Sequence, residues 1–307
     1  MKKISIVIPA YNEEGNIRVI AGVITDIFQP LAYDYELIFV NDGSTDRTPD
    51  ILHELSREDG HIYYIELSRN FGHQSALKAG MDCARGDCVI TMDCDMQHPP
   101  HLINDMLAKW EEGYDVVYTR RLEDKRIPGF KRMTSRAFYK FRNKISDIEL
   151  EEGTADFRLV DRRVAQVFSS LTESDLFIRG MIKWIGFKQY AIAYEPGERF
   201  SGTTKYTVKS MFNLALKGIT SFSVSPLYIA MYIGFIMSVL SSLYLPYVLY
   251  SHFTGDTTSG WSSIILTVVF FGGIQLMILG ILGIYLGRLF IQSKNRPNYI
   301  IKETNLS

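Results

Sequence analysis

Two long stretches near the C-terminus contain no charged residue, and they constrain the fold more than any other feature. Residues 224–250 and 257–287 hold no Asp, Glu, Lys or Arg. A helix of about 20 apolar residues crosses the hydrocarbon core of a bilayer, so each stretch is long enough to cross once. Buried helices of a globular protein are the alternative, but they rarely run this long without a charge. The sequence therefore predicts two transmembrane helices, spanning about residues 224–250 and 261–287.

Charge is distributed very unevenly between this region and the rest of the chain. The 307 residues include 33 Lys+Arg and 34 Asp+Glu, and only six of these charges lie in residues 224–307. The formal net charge of −1 argues against a nucleic-acid-binding protein, which usually carries a strongly basic face. A hydrophobic content of 47% excludes a disordered chain. We expect a catalytic domain in residues 1–203, two spans within 224–290 and a tail in 291–307.

Cations beside the two stretches predict the orientation in the membrane. Three lysines precede the first stretch and three cations follow the second, namely Lys205, Lys209 and Lys217, then Arg288, Lys294 and Arg296. The intervening loop carries only Asp256. By the positive-inside rule, the catalytic domain and both termini are expected to be cytoplasmic.

Two further features concern the membrane region. Within residues 204–223, apolar residues recur at spacings of three and four, which predicts an amphipathic helix lying in the headgroup layer. A purely structural amphipathic helix is the alternative. Small residues recur at similar spacings in the second stretch, at Gly272, Gly273, Gly280, Gly283 and Gly287, and they permit close helix packing within a chain or in a homo-oligomer.

The first 120 residues alternate between strand and helix patterns, which predicts a mainly parallel sheet covered on both faces. Apolar, β-rich runs occur at residues 4–9, 36–40, 62–67, 88–92 and 115–118. Helical stretches lie between them near residues 14–28, 46–58, 73–84 and 100–112, and two more are expected at 162–170 and 175–185. Ligands of such sheets bind beyond the carboxyl ends of the strands, so the polar residues there are the candidate site.

One cluster of this kind, Asp93-Cys-Asp95-Met-Gln97, follows an apolar strand. If the segment is extended, residues two apart point the same way, and two carboxylates and an amide oxygen can converge on one cation. Oxygen ligands suit Mg²⁺ or Mn²⁺, which often bridge carboxylates to substrate phosphates. A solvated turn is the alternative. For the neighbouring His98 and His101, a surface or helix-capping role is favoured over metal binding.

Two more clusters follow the first and second strands. Asp42 is placed to accept hydrogen bonds from a ligand, while Ser44 or Thr45 is expected to cap the next helix. Glu13 either lies in the first turn of a helix or contacts a ligand. No G-x-G-x-x-G follows the first strand and no G-x-x-x-x-G-K-[ST] is present, so dinucleotide and P-loop chemistry lose their usual sequence support.

These motifs carry a resemblance to a known family. Residues 8–14 (IPAYNEE), 40–46 (VNDGSTD) and 93–97 (DCDMQ) resemble glycosyltransferase family 2, the inverting GT-A enzymes that use nucleotide sugars. Residues 68–72, 153–159, 199–206, 272–275 and 294–297 resemble its polyprenyl-phosphate subset, above all the bactoprenol (undecaprenyl-phosphate) glucosyltransferases of O-antigen glucosylation. The chain is also similar to dolichyl-phosphate mannose synthase. The resemblance covers essentially the whole chain and implies a bacterial inner-membrane protein.

The resemblance also implies roles for individual residues. Those expected around the uracil and ribose of a UDP-sugar are Pro9, Tyr11, Glu13, Asp42 and Asp93. The residues expected to bind Mg²⁺ or Mn²⁺ are Asp93, Asp95 and Gln97. Those expected to close over the diphosphate are Arg199 and Lys205, and those expected at the acceptor phosphate are Arg120, Lys131, Arg132 and Ser135.

The implied reaction transfers a hexose, with glucose favoured, to polyprenyl phosphate and inverts the anomeric centre. A lipid monophosphate has a second pKa of about 6, so it is mostly dianionic near neutral pH and needs little help from a base. Asp156 is expected to be a catalytic carboxylate, as the resemblance suggests, or a residue that orients Arg158 or Lys205, and a structural turn is the alternative. Another sugar, another lipid acceptor and a non-catalytic membrane scaffold are the remaining alternatives.

Overall fold

The computed structural model describes residues 1–122, 153–174, 176–194, 227–228, 230–236, 239, 250 and 260–306. These residues fall into two compact units. The first holds residues 1–194 and 296–306 of the described set, and the second holds those from 227 to 295.

The first unit alternates strands and helices along most of its length. Its strands are β1 (Lys3–Ala10), β2 (Asp34–Asn41), β3 (Ile62–Leu67), β4 (Cys88–Thr91), β5 (Val116–Arg121), β6 (Thr154–Asp161), β7 (Gln189–Tyr194) and β8 (Ile301–Thr304). Its helices are α1 (Ile17–Phe28), α2 (Thr48–Glu58), α3 (His73–Cys83), α4 (Leu102–Glu111), α5 (Arg162–Ser170) and α6 (Ile178–Ile185). The elements predicted in residues 1–120, and the two helices after residue 160, are confirmed with small shifts at their ends.

One eight-stranded sheet runs through this unit in the order β7-β5-β6-β4-β1-β2-β3-β8. The strands β4, β1, β2 and β3 are parallel neighbours, and β5 pairs in parallel with β7. Strand β6 is antiparallel to both β4 and β5, and β8 is antiparallel to β3. The sheet is therefore mixed. The predicted parallel arrangement is confirmed for the four neighbouring strands β4, β1, β2 and β3.

Helices cover both faces of the sheet centre because β1 is apolar on both sides. Ile4, Ile6 and Ile8 are fully buried in a core with residues of α1 and α4. On the other face, α3 packs so closely on β1 that a Cβ at Gly80 would overlap the side chain of Val7. Each fully buried aliphatic side chain contributes about 1.5–3 kcal/mol, so this double-sided burial fixes the strand that carries the first candidate loop.

The C-terminal strand β8 was not expected from the sequence. Its four residues pair with β3, and Tyr64 donates from its hydroxyl to Glu303 Oε1 at 3.0 Å. Glu66, on β3, lies 3.3 Å from Lys302 Nζ and 3.2 Å from His53 Nε2. The chain after the second apolar stretch is thus a strand of the first unit, held by side chains more than 200 residues away in sequence.

The second unit contains the helix α7 (Trp261–Ser293), which has 33 residues. Among the described residues, its segment Phe270–Ser293 is the one helix long and apolar enough to cross a membrane. Large apolar side chains such as Leu276 and Leu286 are 72% and 68% exposed. Of the first predicted span, the described residues 227–228, 230–236, 239 and 250 are helical. The predicted amphipathic helix at 204–223 lies outside the described residues.

Candidate active site

The carboxyl ends of β1, β2 and β4 lie at one edge of the sheet because the three strands are parallel. Ala10 pairs with Asn41, and Val7 pairs with Thr91, so the segments that follow these strands begin near one another. All three predicted polar clusters are in these segments. The edge is the position at which ligands of parallel sheets bind.

The loops after β1 and β2, residues 11–16 and 42–47, are bonded to each other, and we call them the loop pair. The backbone N–H of Asn12 donates to Ser44 Oγ at 2.9 Å, and Asn12 Oδ1 accepts from the backbone N–H of Thr45 at 2.8 Å. Asn12 has a φ of 57°, a left-handed conformation that asparagine tolerates better than most residues. The two loops therefore form one ordered surface.

The expectation that Ser44 or Thr45 caps α2 is wrong. Helix α2 begins at Thr48, whose backbone N–H donates to Asp46 Oδ1 at 3.0 Å. Ser44 instead binds the first loop. Glu13 precedes α1, which begins at Ile17, and its carboxylate accepts from Asn16 Nδ2 at 2.6 Å.

Asp42 fixes a further loop, between β3 and α3. Its Oδ1 accepts from the backbone N–H of Phe71 at 2.7 Å and its Oδ2 from that of Gly72 at 2.9 Å. Burial of Asp42, which is 3% exposed, raises its pKa in spite of these two hydrogen bonds. At Gly43, where φ is +69°, a Cβ would come within 2.7 Å of the backbone of Arg69 and Asn70. Asp42 thus positions a loop in the structure, and its contact with a ligand stays a prediction.

The remaining residues predicted near the nucleotide lie at the same edge. Pro9 is buried within β1, while Tyr11 is 41% exposed at the end of that strand. Of these two residues, only Tyr11 presents an exposed side chain that a ligand could contact.

The segment Asp93–Gln97 is a turn, which corrects the assumption of an extended strand. Strand β4 ends at Thr91, and Met96 has a left-handed φ of 60°. Asp95 Oδ1 accepts from the backbone N–H of Gln97 at 3.1 Å, which folds the turn back on itself. Strand alternation therefore does not set the directions of the two carboxylates, and their joint binding of a cation stays a prediction.

Two histidines flank Asp93. His73 Nε2 lies 3.4 Å from Asp93 Oδ1, and His98 Nε2 lies 3.6 Å from Asp93 Oδ2. His98 Nδ1 accepts from the backbone N–H of Asp93 at 3.2 Å, and its ring stacks on Phe157. His98 is 6% exposed, so the surface role predicted for it is wrong, whereas His101 is exposed.

Asp156, on β6, is surrounded by cationic groups. Arg179, in the first turn of α6, forms a bidentate pair with it, from Nε to Oδ1 and from a terminal nitrogen to Oδ2, both at 2.8 Å. Arg158 reaches Oδ1 at 3.4 Å, and His73 Nε2 lies 3.7 Å from Oδ2. Gln74 Nε2 donates to Oδ2 at 3.4 Å. Together with Asp93 and His73, these residues link β4, α3, β6 and α6.

The charged residues around Asp156 shift one another's pKa values. Burial alone would raise the pKa of Asp156, but Arg179, His73 and Arg158 hold it well below its usual range. Burial lowers the pKa of Arg158 to about 10, against the opposing charge of Asp156. Desolvation alone would lower the pKa of His73, but the nearby carboxylates of Asp156 and Asp93 outweigh this and raise it. Asp156 is therefore an ionised, weakly basic carboxylate.

Arg179, His73 and Gln74 were not predicted from the sequence. Of the two predicted partners of Asp156, Arg158 lies within ion-pair distance. In the sequence, Arg179 is a single arginine beside apolar residues at the start of α6, and this is the one local feature that could have indicated it. Arg120 is exposed on β5. The other predicted phosphate-binding residues lie outside the described residues, namely Lys131, Arg132, Ser135, Arg199 and Lys205.

Comparison with known proteins agrees with this α/β unit and its motifs. The family model described as Glycosyl transferase family 2 matches residues 5–168, more than half of the chain. The chain belongs to glycosyltransferase family 2. The GT-A fold implied by the resemblance is an α/β fold, and the first unit has this architecture, with a largely parallel sheet.

Relatives in the family align along almost the whole chain. An uncharacterised glycosyltransferase, YkcC of Bacillus subtilis, is 45% identical over 98% of this chain and 93% of its own length. The SfII prophage-derived bactoprenol glucosyl transferase of Shigella flexneri is 39% identical over 99% of this chain and 98% of its own. The chain is a glycosyltransferase by family and by these relatives.

A solved structure in the comparison is glucosyl-3-phosphoglycerate synthase of Mycobacterium tuberculosis, in complex with Mn²⁺, UDP-glucose and phosphoglyceric acid. It is 18% identical, with a TM-score of 0.45, and the match covers 71% of this chain and 78% of that one. At this level of similarity, the likeness carries no argument about ligands.

Proposed function

We propose that this glycosyltransferase moves a hexose, with glucose favoured, from a UDP-sugar to undecaprenyl phosphate or another polyprenyl phosphate. The products are UDP and a β-linked polyprenyl-phosphate sugar, because one in-line displacement inverts an α-linked donor. The observation that carries the proposal is the 39% identity, over 99% of this chain, to a protein named bactoprenol glucosyl transferase. The three polar segments lie at the carboxyl edge of the sheet, and this arrangement supports the use of a nucleotide-sugar donor.

A divalent cation, Mg²⁺ or Mn²⁺, fits the residues at the end of β4. Asp93 Oδ1 is a buried carboxylate oxygen without a hydrogen-bond partner in the described part of the chain. His73 Nε2 lies 3.4 Å from this oxygen, and a hard cation would supply the close partner that it lacks. We propose Asp93, Asp95 and Gln97 as the protein ligands. When bound, the cation would offset negative charge on the departing diphosphate.

The loop pair is the proposed binding surface for the nucleoside part of the donor. Tyr11 offers an exposed ring at the end of β1, where a base could stack. Asp42 fixes the backbone of the β3–α3 loop through two hydrogen bonds, Glu13 accepts from the side chain of Asn16, and Pro9 lies near the end of β1. This surface is ordered by its own bonds, so little entropy is lost when a ligand binds.

The acceptor is proposed to act as its own nucleophile. A lipid monophosphate is largely dianionic near neutral pH, so it needs positioning and charge compensation more than a base. Asp156 supports this view because its pKa is held well below the usual range, which makes it a poor proton acceptor. Arg120, Lys131, Arg132 and Ser135 are proposed at the acceptor phosphate, and Arg199 and Lys205 at the leaving diphosphate.

Strand β8 supports a membrane topology with two crossings. Strands β7 and β8 belong to one sheet, so the chain between residues 195 and 300 leaves and returns on the same side of any membrane. The number of crossings in between must be even. If Phe270–Ser293 crosses once, a second crossing lies within residues 195–260, where the uncharged stretch 224–250 is found. We propose two spans, an interfacial helix at 204–223, and a cytoplasmic catalytic domain with cytoplasmic termini, in a bacterial inner membrane.

The test is a transfer assay with the full chain in membranes. Radiolabelled UDP-glucose, UDP-N-acetylglucosamine and GDP-mannose are each incubated with undecaprenyl phosphate and Mg²⁺ or Mn²⁺. We expect label in the lipid fraction from UDP-glucose, with release of UDP. Absence of lipid-bound label from every donor, with folded protein, would contradict the proposal, and label from another donor would correct the sugar.

A pair of variants tests the metal assignment separately. Asp95→Ala should lower kcat at least a hundredfold and weaken binding of Mn²⁺ in the presence of UDP, measured by electron paramagnetic resonance. Asp105→Ala, in the first turn of α4, removes an exposed carboxylate near the same loop in sequence and should change neither quantity. Unchanged Mn²⁺ binding in Asp95→Ala would sink the assignment.

A further inference from the structure

We infer that Arg179 binds a phosphate group of a substrate and that Asp156 holds its guanidinium in place for this purpose. The inference rests on the proposed function, since it assigns a residue to a substrate phosphate. Its first support is geometric. The bidentate pair, with both distances at 2.8 Å, fixes the plane of the Arg179 guanidinium.

Exposure distinguishes Arg179 from the other arginine on the same carboxylate. The side chain of Arg158 is 3% exposed and that of Asp156 is 7% exposed, whereas that of Arg179 is 37% exposed. Arg158 also donates to the carbonyl oxygen of Ala155 at 2.9 Å, which ties it to the backbone. Arg158 therefore compensates the buried charge, and Arg179 is the arginine that a ligand can reach.

Charge balance points to an anion at this position. Two arginines, Arg158 and Arg179, contact Asp156, and His73 lies between Asp156 and Asp93. The two guanidinium charges equal those of the two carboxylates. The cluster thus has no excess of negative charge although two carboxylates lie in it. A divalent cation held by Asp93 and Asp95 would add two positive charges against one further carboxylate, and the resulting net positive charge favours a phosphate over a neutral ligand.

The position of Arg179 near the N-terminus of α6 does not favour the stability of the helix. A cation in the first turn of a helix is opposed by the helix dipole, and Arg179 is the second residue of α6. Asp156 offsets this cost, and Gln74 joins the two elements by donating to Asp156 and accepting from the backbone N–H of Ile178 at 3.1 Å. The result is a fixed guanidinium on Asp156, the carboxylate that His73 links to Asp93.

Two substrates could supply the phosphate, namely the diphosphate of the donor and the monophosphate of the lipid. The experiment measures binding of each to the purified full-length protein in detergent, with Mg²⁺ present. Binding of UDP is compared with that of uridine, and binding of undecaprenyl phosphate with that of undecaprenol. Arg179→Gln removes the charge, and Arg179→Lys keeps it while losing the bidentate geometry.

Arg163 provides a matched control. It also pairs with carboxylates, at 3.1 Å to Asp161 and 2.6 Å to Asp115, but its side chain is 70% exposed and Asp161 lies at the opposite end of β6 from Asp156. Arg163→Gln therefore makes the same chemical change away from the site. We expect it to leave the affinity for all four ligands unchanged.

We expect Arg179→Gln to weaken binding of one phosphate ligand by about tenfold to a hundredfold, the usual effect of losing hydrogen bonds to a charged group. Arg179→Lys should fall between this variant and the native protein. Affinity for uridine and undecaprenol should stay the same. The ligand that loses affinity identifies the phosphate.

The inference is overturned if neither UDP nor undecaprenyl phosphate loses affinity in Arg179→Gln. It is equally overturned if uridine or undecaprenol weakens as much as its phosphorylated counterpart, because that would indicate a distorted fold. These measurements need no turnover. Failure of sugar transfer in the native protein would therefore count against the proposed function and leave this test intact.

Discussion

The loop pair and the charged cluster lie at the same edge of the sheet, yet they are held together by different physics. The loop pair, residues 11–16 and 42–47, is joined by backbone N–H groups that donate to short polar side chains at or near the surface. The charged cluster, which comprises His73, Asp93, Asp156, Arg158 and Arg179, is built from ionised side chains, and Asp156 and Arg158 are almost fully buried. Water can replace a lost partner in the first region much more readily than in the second.

This difference predicts unequal costs of substitution. A buried charge that loses its partner is far more expensive than a surface hydrogen bond that water can restore. Three single variants test this difference.

The largest effect is expected for Asp156→Asn. The change removes the counter-charge of Arg158, which is 3% exposed and has no other carboxylate within ion-pair distance among the described residues. Breaking a buried pair in this way costs about 3–5 kcal/mol. Thermal denaturation in detergent should show a markedly lower Tm.

A double variant checks the cause of this loss. Asp156→Asn combined with Arg158→Met removes both the stranded charge and its partner, and it should recover a large part of the stability. A Tm for the single variant equal to that of the native protein would contradict the view that this carboxylate compensates buried cations.

An intermediate effect is expected for Gly43→Ala, at the junction of the loop pair with the β3–α3 loop. The new Cβ would lie 2.7 Å from the backbone of Arg69 and Asn70, and φ is +69°. Strain of this kind costs about 1–3 kcal/mol.

The matched control is Gly22→Ala in α1, where no atom lies within 4 Å of the added Cβ. That variant should gain about 0.5–1 kcal/mol from helix propensity. Equal Tm values for the two variants would refute the steric argument.

The smallest effect is expected for Asp46→Asn within the loop pair, and it should depend on pH. Desolvation alone would raise the pKa of Asp46, but hydrogen bonds from Thr48 and the backbone N–H of Glu14 hold it below its usual value. A carboxylate with a lowered pKa stabilises the fold above its ordinary pKa of about 3.9, and this contribution is lost as pH falls through the folded value.

The variant should therefore lose about 0.5–1 kcal/mol at pH 7 and converge with the native protein in strong acid. The measurement is Tm as a function of pH for both proteins. A difference that grows as the pH is lowered would have the wrong sign and would exclude this explanation.

The two regions also differ in how far the sequence predicted them. The loop pair was predicted because its residues lie within a few positions of strand ends, and strands of this type are recognisable from apolar runs such as Ile4–Ala10. The charged cluster was predicted only in part. Asp156 and Arg158 were found through a motif, whereas Arg179 lies 23 residues beyond Asp156 in a helix with no motif of its own.

Two strands at the edges of the sheet were missed for a related reason. Strand β8 has four residues, including a lysine and a glutamate, so its own pattern is too short and too polar to stand out. Strand β7 is only half buried, with one fully buried residue at Tyr194. The pairing of such segments depends on the neighbouring strand that is already in place, and local propensity does not encode it.

By itself, the sequence determined the alternation of strands and helices, the three polar segments at strand ends, the uncharged stretches and the family to which the chain belongs. These are local properties, fixed by residues that are close in sequence. The tertiary structure alone decided that Asp156 is clamped by Arg179, that His73 bridges to Asp93, and that the C-terminal tail is a strand of the sheet. Those contacts join residues far apart in sequence, and they exist only because packing of the whole sheet brings them within hydrogen-bonding distance.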